Sequence, residues 1–320
     1  MSGALHIIGI DRLRPLLDRQ KVIAAVREAL ILQAAGKVQS PLPGQLLFKE
    51  PHGDCHIKYG HVAGSPTFTI KVAAGFYDNP KLGLPALHGL VMVWDATTGA
   101  PLVLFQDGGW LTAWRTAAAT AIAAHAMAPE RLTEVGIIGS GLQADLAIEW
   151  LPELLGRQRF VVWSRTAGNA EALAARRRKA GYDVRTVTTA ADVLASCNLV
   201  VTATPAETPL FAVDHVRPGT HLVAIGADSP GKQELPAELF PRAAHVLTDD
   251  TAQCVDHGEL GVAVRAGLAK GESAIMLGDL LSGKVTRLRK PGDITIADLT
   301  GIAAEDIAIS GLFSQLLKME

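Results

Sequence analysis

The segment Glu134-Val-Gly-Ile-Ile-Gly-Ser-Gly-Leu-Gln-Ala144 constrains this chain more than any other. A short apolar strand pattern ends at Ile138, and small residues follow at Gly139, Gly141 and Ala144 as a helical pattern begins near Leu142. The first small residue permits a tight turn, the second lets a pyrophosphate approach the backbone, and the third lets the helix pack close to the strand. Phosphate oxygens would accept hydrogen bonds from N–H groups at the positive end of that helix. Gly139, Ser140, Gly141, Leu142 and Gln143 are therefore the first candidates for cofactor binding.

What surrounds the turn sets the fold class. Strand patterns at Glu134–Ile138, Arg159–Trp163, Asp183–Thr186, Leu199–Thr202, His221–Ile225 and His245–Thr248 alternate with helical patterns at 142–156, 168–180, 190–196 and 234–240. Such alternation predicts an α/β doubly wound parallel sheet of Rossmann type. Earlier residues behave differently. A helical period over 12–36 is followed by short β-like runs at 45–49, 55–61, 67–73, 89–95 and 101–106, with Asp95-Ala-Thr-Thr-Gly99 as a hairpin turn. That part predicts an antiparallel or mixed sheet. An Ala-rich helix from Leu111 to about Ala128, with Thr112 able to cap it, leads into the Rossmann part, and the tail from about Ile296 returns to a helical period. The expected organisation is a mixed α+β domain from residues 1–117 and 300–320 with the dinucleotide domain, 118–299, inserted.

Composition excludes several classes. Thirty basic against 32 acidic residues give a net charge of −2, which argues against a general nucleic-acid binder. The run Arg176-Arg-Arg-Lys179 closes a helical pattern before Gly181 and reads as a solvated helix end. Cys55, Cys197 and Cys254 form no CxxC pair, so neither a disulfide framework nor a structural zinc site is expected. No metal-ligand spacing is present, no signal peptide is apparent, and no apolar run reaches the roughly 20 residues of a membrane span. A cytoplasmic protein is the expectation.

Chemistry should come from a few charged residues in apolar or small-residue settings. Lys71 lies in Thr67-Phe-Thr-Ile-Lys-Val-Ala-Ala74, where a lysine is either an edge residue reaching water or a cation held in a pocket. Arg115, alone among small neutral residues, wants an anionic partner, whether a ligand or a structural salt bridge. Asp228 follows the strand at 221–225, at the carboxyl end where α/β sheets bind ligands, and is either an acid/base or a turn aspartate. His56 and Lys58, two apart, share one strand face and suggest an anion site or an exposed face. Thr202 and Thr204 end another strand and are candidates to line a ribose. At the end of the second Rossmann strand Ser164-Arg165-Thr166 contains no acid, so NAD and NADP both remain open.

With these residues assembled, the chain resembles the ornithine cyclodeaminase/mu-crystallin family over essentially its whole length. The resemblance is carried by Ile70-Lys-Val72, Asn79-Pro80, Gly83-Leu-Pro-Ala-Leu-His-Gly89, Asp107-Gly-Gly-Trp-Leu-Thr-Ala-Trp-Arg-Thr-Ala117, the 139–144 turn, Ile225-Gly-Ala-Asp-Ser-Pro-Gly-Lys232 and Leu299-Thr-Gly301. It implies a homodimeric NAD(P)-dependent oxidoreductase acting at an α-amino or α-imino carbon. Lys71 and Arg115 would hold the substrate carboxylate, and Asp228 would serve the substrate nitrogen. The implied cofactor set is Thr112, Arg115, Gly139, Ser140, Gly141, Leu142, Gln143, Ser164, Arg165, Thr166, Thr202 and Thr204.

Two departures bear on substrate. Many members carry an arginine where this chain has Pro41-Leu-Pro-Gly-Gln45, and many have Met or Glu near the position of Lys58. A cation at Lys58 suits a second carboxylate and repels the distal ammonium of ornithine or lysine. The segment Gly53-Asp-Cys-His-Ile-Lys-Tyr59 is similar to the iminosuccinate reductase branch. The expected activity is reduction of a small α-imino acid, with iminosuccinate to L-aspartate as the leading reading. Cyclodeamination, an alanine-dehydrogenase-like reaction and a non-catalytic cofactor-binding role of mu-crystallin type are the alternatives.

Overall fold

A computed structural model describes residues 5–286 and 289–319. In chain order the first elements are β1 (His6–Gly9), α1 (Ile10–Leu13), α2 (Arg19–Ala34), β2 (Val38–Gln39), β3 (Gly44–Phe48), β4 (Gly53–Val62), β5 (Thr67–Phe76), β6 (Leu87–Asp95), β7 (Pro101–Gln106) and α3 (Trp110–Ala126). There follow β8 (Val135–Ile138), α4 (Leu142–Trp150), α5 (Pro152–Leu155), β9 (Arg159–Trp163), α6 (Ala167–Lys179), β10 (Asp183–Thr186), α7 (Ala190–Ser196), β11 (Leu199–Thr202), β12 (His221–Ala224) and β13 (Ala243–Thr248). The chain ends with α8 (Thr251–His257), α9 (Glu259–Arg265), β14 (Ile275–Met276), α10 (Leu277–Leu281), β15 (Ile294–Asp298) and α11 (Ala303–Leu316).

Two compact units result. The first comprises Met1–Thr116 with Ile302–Glu320, and the second Ala117–Gly301.

In the first unit a mixed seven-stranded sheet runs β1-β7-β6-β5-β4-β2, with β3 also on β4. Only β1 runs parallel to its neighbour, β7. The hairpin between β6 and β7 forms as expected, with Asp95 Oδ1 accepting from the amides of Thr97 and Thr98. Strand pairing places Lys58, Lys71, Val91, Phe105 and Ile8 in one register row, all buried. The neighbouring row, Tyr59, Ile70, Met92, Leu104 and Ile7, faces the other side and none of it is buried. Because side chains alternate along a strand, the sheet has one sealed face bearing two lysines and one open, apolar face. Helix α11 packs against α2, β4 and β5.

The second unit holds an eight-stranded sheet in the order β10-β9-β8-β11-β12-β15-β13-β14. Every pair is parallel. Its first five positions follow the 3-2-1-4-5 order of the dinucleotide-binding fold, and the late strand β15 takes the sixth place, between β12 and β13. The β8, β11 and β12 side chains are all buried, as expected of strands covered on both faces.

Several boundaries differ from the sequence reading. The helix expected over 142–156 breaks between Trp150 and Pro152, because Pro152 has no N–H to continue the ladder and starts a new turn instead. Residues 234–240, expected to be helical, give a short 3-10 turn at Ala237–Arg242 that contains Pro241. The tail is not helical from Ile296: Ile294–Asp298 is a strand inserted between β12 and β13, and the helix begins at Ala303. Helix α3 starts at Trp110, and its cap is Asp107, whose Oδ2 accepts from Leu111 N at 2.7 Å, so Thr112 lies inside the helix. Arg177, inside the basic run, is only 11% exposed and bonds Asp145 and Glu149 of α4, which ties α6 to α4.

Candidate active site

Each unit carries one half of the chemistry that the sequence suggests. In the second unit, Gly139 closes β8 with φ of +132° and donates from its amide to Trp163 O at 2.8 Å, joining the ends of β8 and β9. A Cβ on Gly139 would lie 2.5 Å from Ala203 O, so the ends of β8 and β11 approach there as only glycine allows. Gly141, the N-cap of α4, makes no side-chain cap, and a Cβ on it would meet nothing within 4 Å. The first amides of α4 lie just beyond this uncrowded glycine, at the positive end of the helix. The turn lies where strand order reverses between β8 and β11, the place at which open α/β sheets bind ligands. Donor set, open approach and position all fit a dinucleotide pyrophosphate.

Other cofactor candidates are placed with varied exposure. Ser140 Oγ and Ser164 Oγ lie 2.9 Å apart, linking the turn to the end of β9. Arg165 and Thr166 are exposed beyond that strand. Thr202 is wholly buried and donates to Glu234 Oε2 at 2.7 Å. Thr204 donates its amide and hydroxyl to Glu234 Oε1 at 2.7 and 2.8 Å, and Gly226 N donates to Oε2 at 2.8 Å. Glu234 therefore staples the carboxyl ends of β11 and β12 together, and burial raises its carboxyl to about 6. Behind it, Glu259 accepts from the amides of Glu234 and Leu235. Neither Glu234 nor Glu259 is among the candidates that the sequence offers. Asp228 is half-exposed after β12, with Lys232 Nζ at 2.7 Å and Ser229 Oγ at 3.2 Å from its Oδ1. Thr112 and Arg115 belong to the first unit, where Thr112 O accepts from Thr116 Oγ1.

The first unit gathers the cations. β5 lies between β4 and β6 and Lys71 is 1% exposed, which removes the edge-strand reading. Its Nζ sits 2.9 Å from Asp306 Oδ2. Arg115, also buried, donates from Nε to Asp306 Oδ1 at 3.0 Å and from Nη1 to Glu305 Oε2 at 2.9 Å. Its Nη2, like the remaining N–H groups of Lys71, has no hydrogen-bond partner among the described residues. Lys58 is directly opposite Lys71, and His56, two residues along the same face, has Nε2 3.5 Å from Asp54 Oδ1. Three buried cations thus meet two buried carboxylates, Glu305 and Asp306.

Burial is the main cause pulling Lys71 down to about 7, with Arg115 and Lys58 adding to it against the pull of Asp306. Burial would raise Asp306, but Lys71, Arg115 and Lys58 outweigh it and hold the carboxyl below its ordinary value. Burial likewise lifts Asp107 to about 6. Among the described residues no group of three His, Cys, Asp or Glu is arranged to hold a metal ion, and no helix is long and apolar enough to cross a membrane.

A parallel sheet beginning 3-2-1-4-5, with an open glycine turn where its strand order reverses, defines the Rossmann class of dinucleotide folds. The model of the ornithine cyclodeaminase/mu-crystallin family matches residues 12–315, and the chain belongs to that family. It is 32% identical to an alanine dehydrogenase of Archaeoglobus fulgidus, over 95% of this chain and 92% of the relative. Among solved structures it superposes on an archaeal alanine dehydrogenase dimer with bound NAD (TM-score 0.89, 30% identity, 98% and 97% of the two chains). It also superposes on the iminosuccinate reductase of Paracoccus denitrificans in complex with NAD+ (TM-score 0.88, 26% identity, 98% and 96%). The expected family and the Rossmann-type fold class are both borne out, and these relatives are named a dehydrogenase and a reductase, in keeping with the expected oxidoreductase.

Proposed function

We propose that this protein is an NAD-dependent reductase of a small α-imino acid, with iminosuccinate, reduced to L-aspartate, as its substrate. The observation that carries the reading is the buried cation cluster: Lys58, Lys71 and Arg115 surround the buried Asp306 carboxylate, and Arg115 Nη2 and Lys71 retain donors without a hydrogen-bond partner among the described residues. Such a site favours an anion, and guanidinium with ammonium is a strong carboxylate-binding pair. Arg115 and Lys71 hold the α-carboxylate. Lys58, with His56 beside it, holds the second. The same Lys58 disfavours the distal ammonium of ornithine or lysine, which sets the cyclodeaminase reading aside.

When bound, NADH supplies a hydride to the imine carbon. The protein's part is to fix the carboxylates so that this carbon is held in one pose, and to handle the nitrogen proton. Asp228 is suited to that proton because it is half-exposed and can re-equilibrate with solvent. With no acid at Ser164–Thr166 to repel a 2′-phosphate, NADPH is accepted as well, more weakly than NADH. The open apolar face of the first unit's sheet is the homodimer surface, since an apolar face of that extent is costly to leave in water.

The test is NADH oxidation with oxaloacetate plus ammonium, pyruvate plus ammonium and Δ1-pyrroline-2-carboxylate, alongside NAD+ reduction with ornithine and lysine. The dicarboxylate should give the highest kcat/KM. Turnover of ornithine alone would replace this reading with a cyclodeaminase. Silence on every substrate, with tight NADH binding, would replace it with a binding protein.

A further inference from the structure

We propose that Asp306 is the positioning residue of the carboxylate site, tying the two cations that grip substrate to one side chain so that their remaining donors converge on a single anion. The proposal rests on the assignment of Lys71 and Arg115 to the substrate carboxylate.

Three separate elements supply the group: Lys71 from β5, Arg115 from α3 and Asp306 from α11. One carboxylate serves both cations, Oδ2 at 2.9 Å from Lys71 Nζ and Oδ1 at 3.0 Å from Arg115 Nε. Glu305, the preceding residue, takes Arg115 Nη1 at 2.9 Å. The guanidinium plane is thereby fixed at two points, Nε and Nη1, with Nη2 as its remaining donor. Without the Asp306 carboxylate two long, flexible cations would repel each other and settle apart. With it, they are held as a pair.

Stability alone explains this arrangement poorly. A buried ion pair is often no more stable than well-packed apolar residues of similar volume, because two charges must be stripped of water. Helix α11 is otherwise apolar or small on almost every face, as Ala303-Ala304 and Ile307-Ala308-Ile309 show, so Glu305 and Asp306 have no solvent side to occupy. The charged groups acting on Asp306 are Lys58 from β4, Lys71 from β5 and Arg115 from α3, and Asp107 before α3 feels its charge in turn. From α2, which packs on α11, the buried residues are all apolar.

The experiment is steady-state kinetics of Asp306→Asn, Asp306→Glu, Lys71→Met and Arg115→Met across pH 5.5–9, with oxaloacetate plus ammonium as substrate. Fluorescence titration with NADH reports separately on the cofactor unit. Asp306→Asn should bind NADH normally, raise KM for the imino acid at least tenfold, and move the alkaline limb of kcat/KM to lower pH, because Lys71 has lost the charge that helps keep its proton. Asp306→Glu keeps the charge but displaces it by one methylene, so KM should rise while the limb stays in place. Should Asp306→Asn fail to fold, the glutamate variant decides: an unchanged KM overturns the proposal. An unmoved limb and KM in Asp306→Asn, with Lys71→Met and Arg115→Met still crippled, also overturns it and leaves the carboxylate assignment standing. If Lys71→Met and Arg115→Met bind substrate normally, the assignment itself falls.

Discussion

Lys58 and Lys71 stand directly opposite each other across the β4–β5 pair, on the sealed side of the sheet, with 5% and 1% exposure. Like charges in that relation repel, so an unliganded protein carries the cost and a bound anion relieves it. A Lys58→Met protein keeps the aliphatic stem and loses that repulsion together with the pull of Lys58 on Asp306, so it should still fold. Its KM for a dicarboxylate imino acid should rise by about 10- to 100-fold, the equivalent of a lost charged hydrogen bond of about 1.5–3 kcal/mol. With pyruvate plus ammonium the change should be small. Equal losses on both substrates would show that Lys58 does not read the second carboxylate.

Lys71 predicts the pH profile. Its folded value of about 7 lies below the ordinary 10.5, so the folded protein sheds this proton while the unfolded chain keeps it. Between those limits the unfolded state binds more protons, and the Lys71 contribution to stability rises with pH. Substrate binding runs the other way, because the ammonium is the form that holds a carboxylate. In the free enzyme kcat/KM should thus fall above about pH 7. Lys71→Arg, which cannot lose its proton in this range, should flatten that limb even though its altered shape lowers the maximum.

Legibility in the sequence followed how many faces an element buries. β9, α7 and β11 were readable to the residue, since continuous apolar runs or a clean cap such as Thr189 mark them, and β10 was bounded by Gly181 and the helix pattern that follows it. β15 was not, because Thr295 and Asp298 interrupt its apolar run and both are buried, with Asp298 accepting from Leu260 N. Lys71, Arg115 and Asp228 stood out as charges among small or apolar neighbours. Glu305 and Asp306 carry the same signal but sit in the first turn of a helix, where acids are ordinary partners of the helix dipole. Glu234 had no such signal, since its partners come from two strands at a distance in sequence.

The glycine turn yields a paired prediction. Gly139→Ala forces a Cβ against Ala203 O and a side chain into φ of +132°, so it should destabilise the cofactor unit and weaken NADH binding together. Gly141→Ala meets open space, so its melting temperature should hold. If a pyrophosphate occupies that space, its NADH affinity should drop about tenfold or more all the same. A Gly141→Ala protein with unaltered NADH binding would place the phosphates elsewhere.

Glu234 tests the stapled strand ends. Its folded carboxyl, at about 6, is raised above the ordinary 4.5, so the cost of burying the charge is fully present above pH 6 and fades as pH falls through that window. Glu234→Gln removes that cost but turns an NH2 toward some of the four donors the carboxylate now satisfies, Thr202 Oγ1, Thr204 N, Thr204 Oγ1 and Gly226 N. One buried donor left facing another costs about 1–3 kcal/mol. Thermal denaturation at pH 8 should show that loss, and the deficit relative to the parent should shrink as pH rises from 4.5 to 6, because only the parent takes on the cost of the buried charge in that window.

The outer row of the first unit's sheet predicts assembly. Tyr59, Ile70, Met92, Leu104 and Ile7 cross five strands in register on the open side, with Tyr59 44% and Ile7 61% exposed. Ile70 lies near the middle of that row, opposite the face that carries Lys71. An Ile70→Asp substitution buries a charge if two copies meet there and costs little if the face stays in water. Light scattering should find the parent dimeric and Ile70→Asp monomeric, with an unchanged circular dichroism spectrum. A parent that is monomeric at micromolar concentration, or a variant that remains dimeric, would assign this face to some other contact.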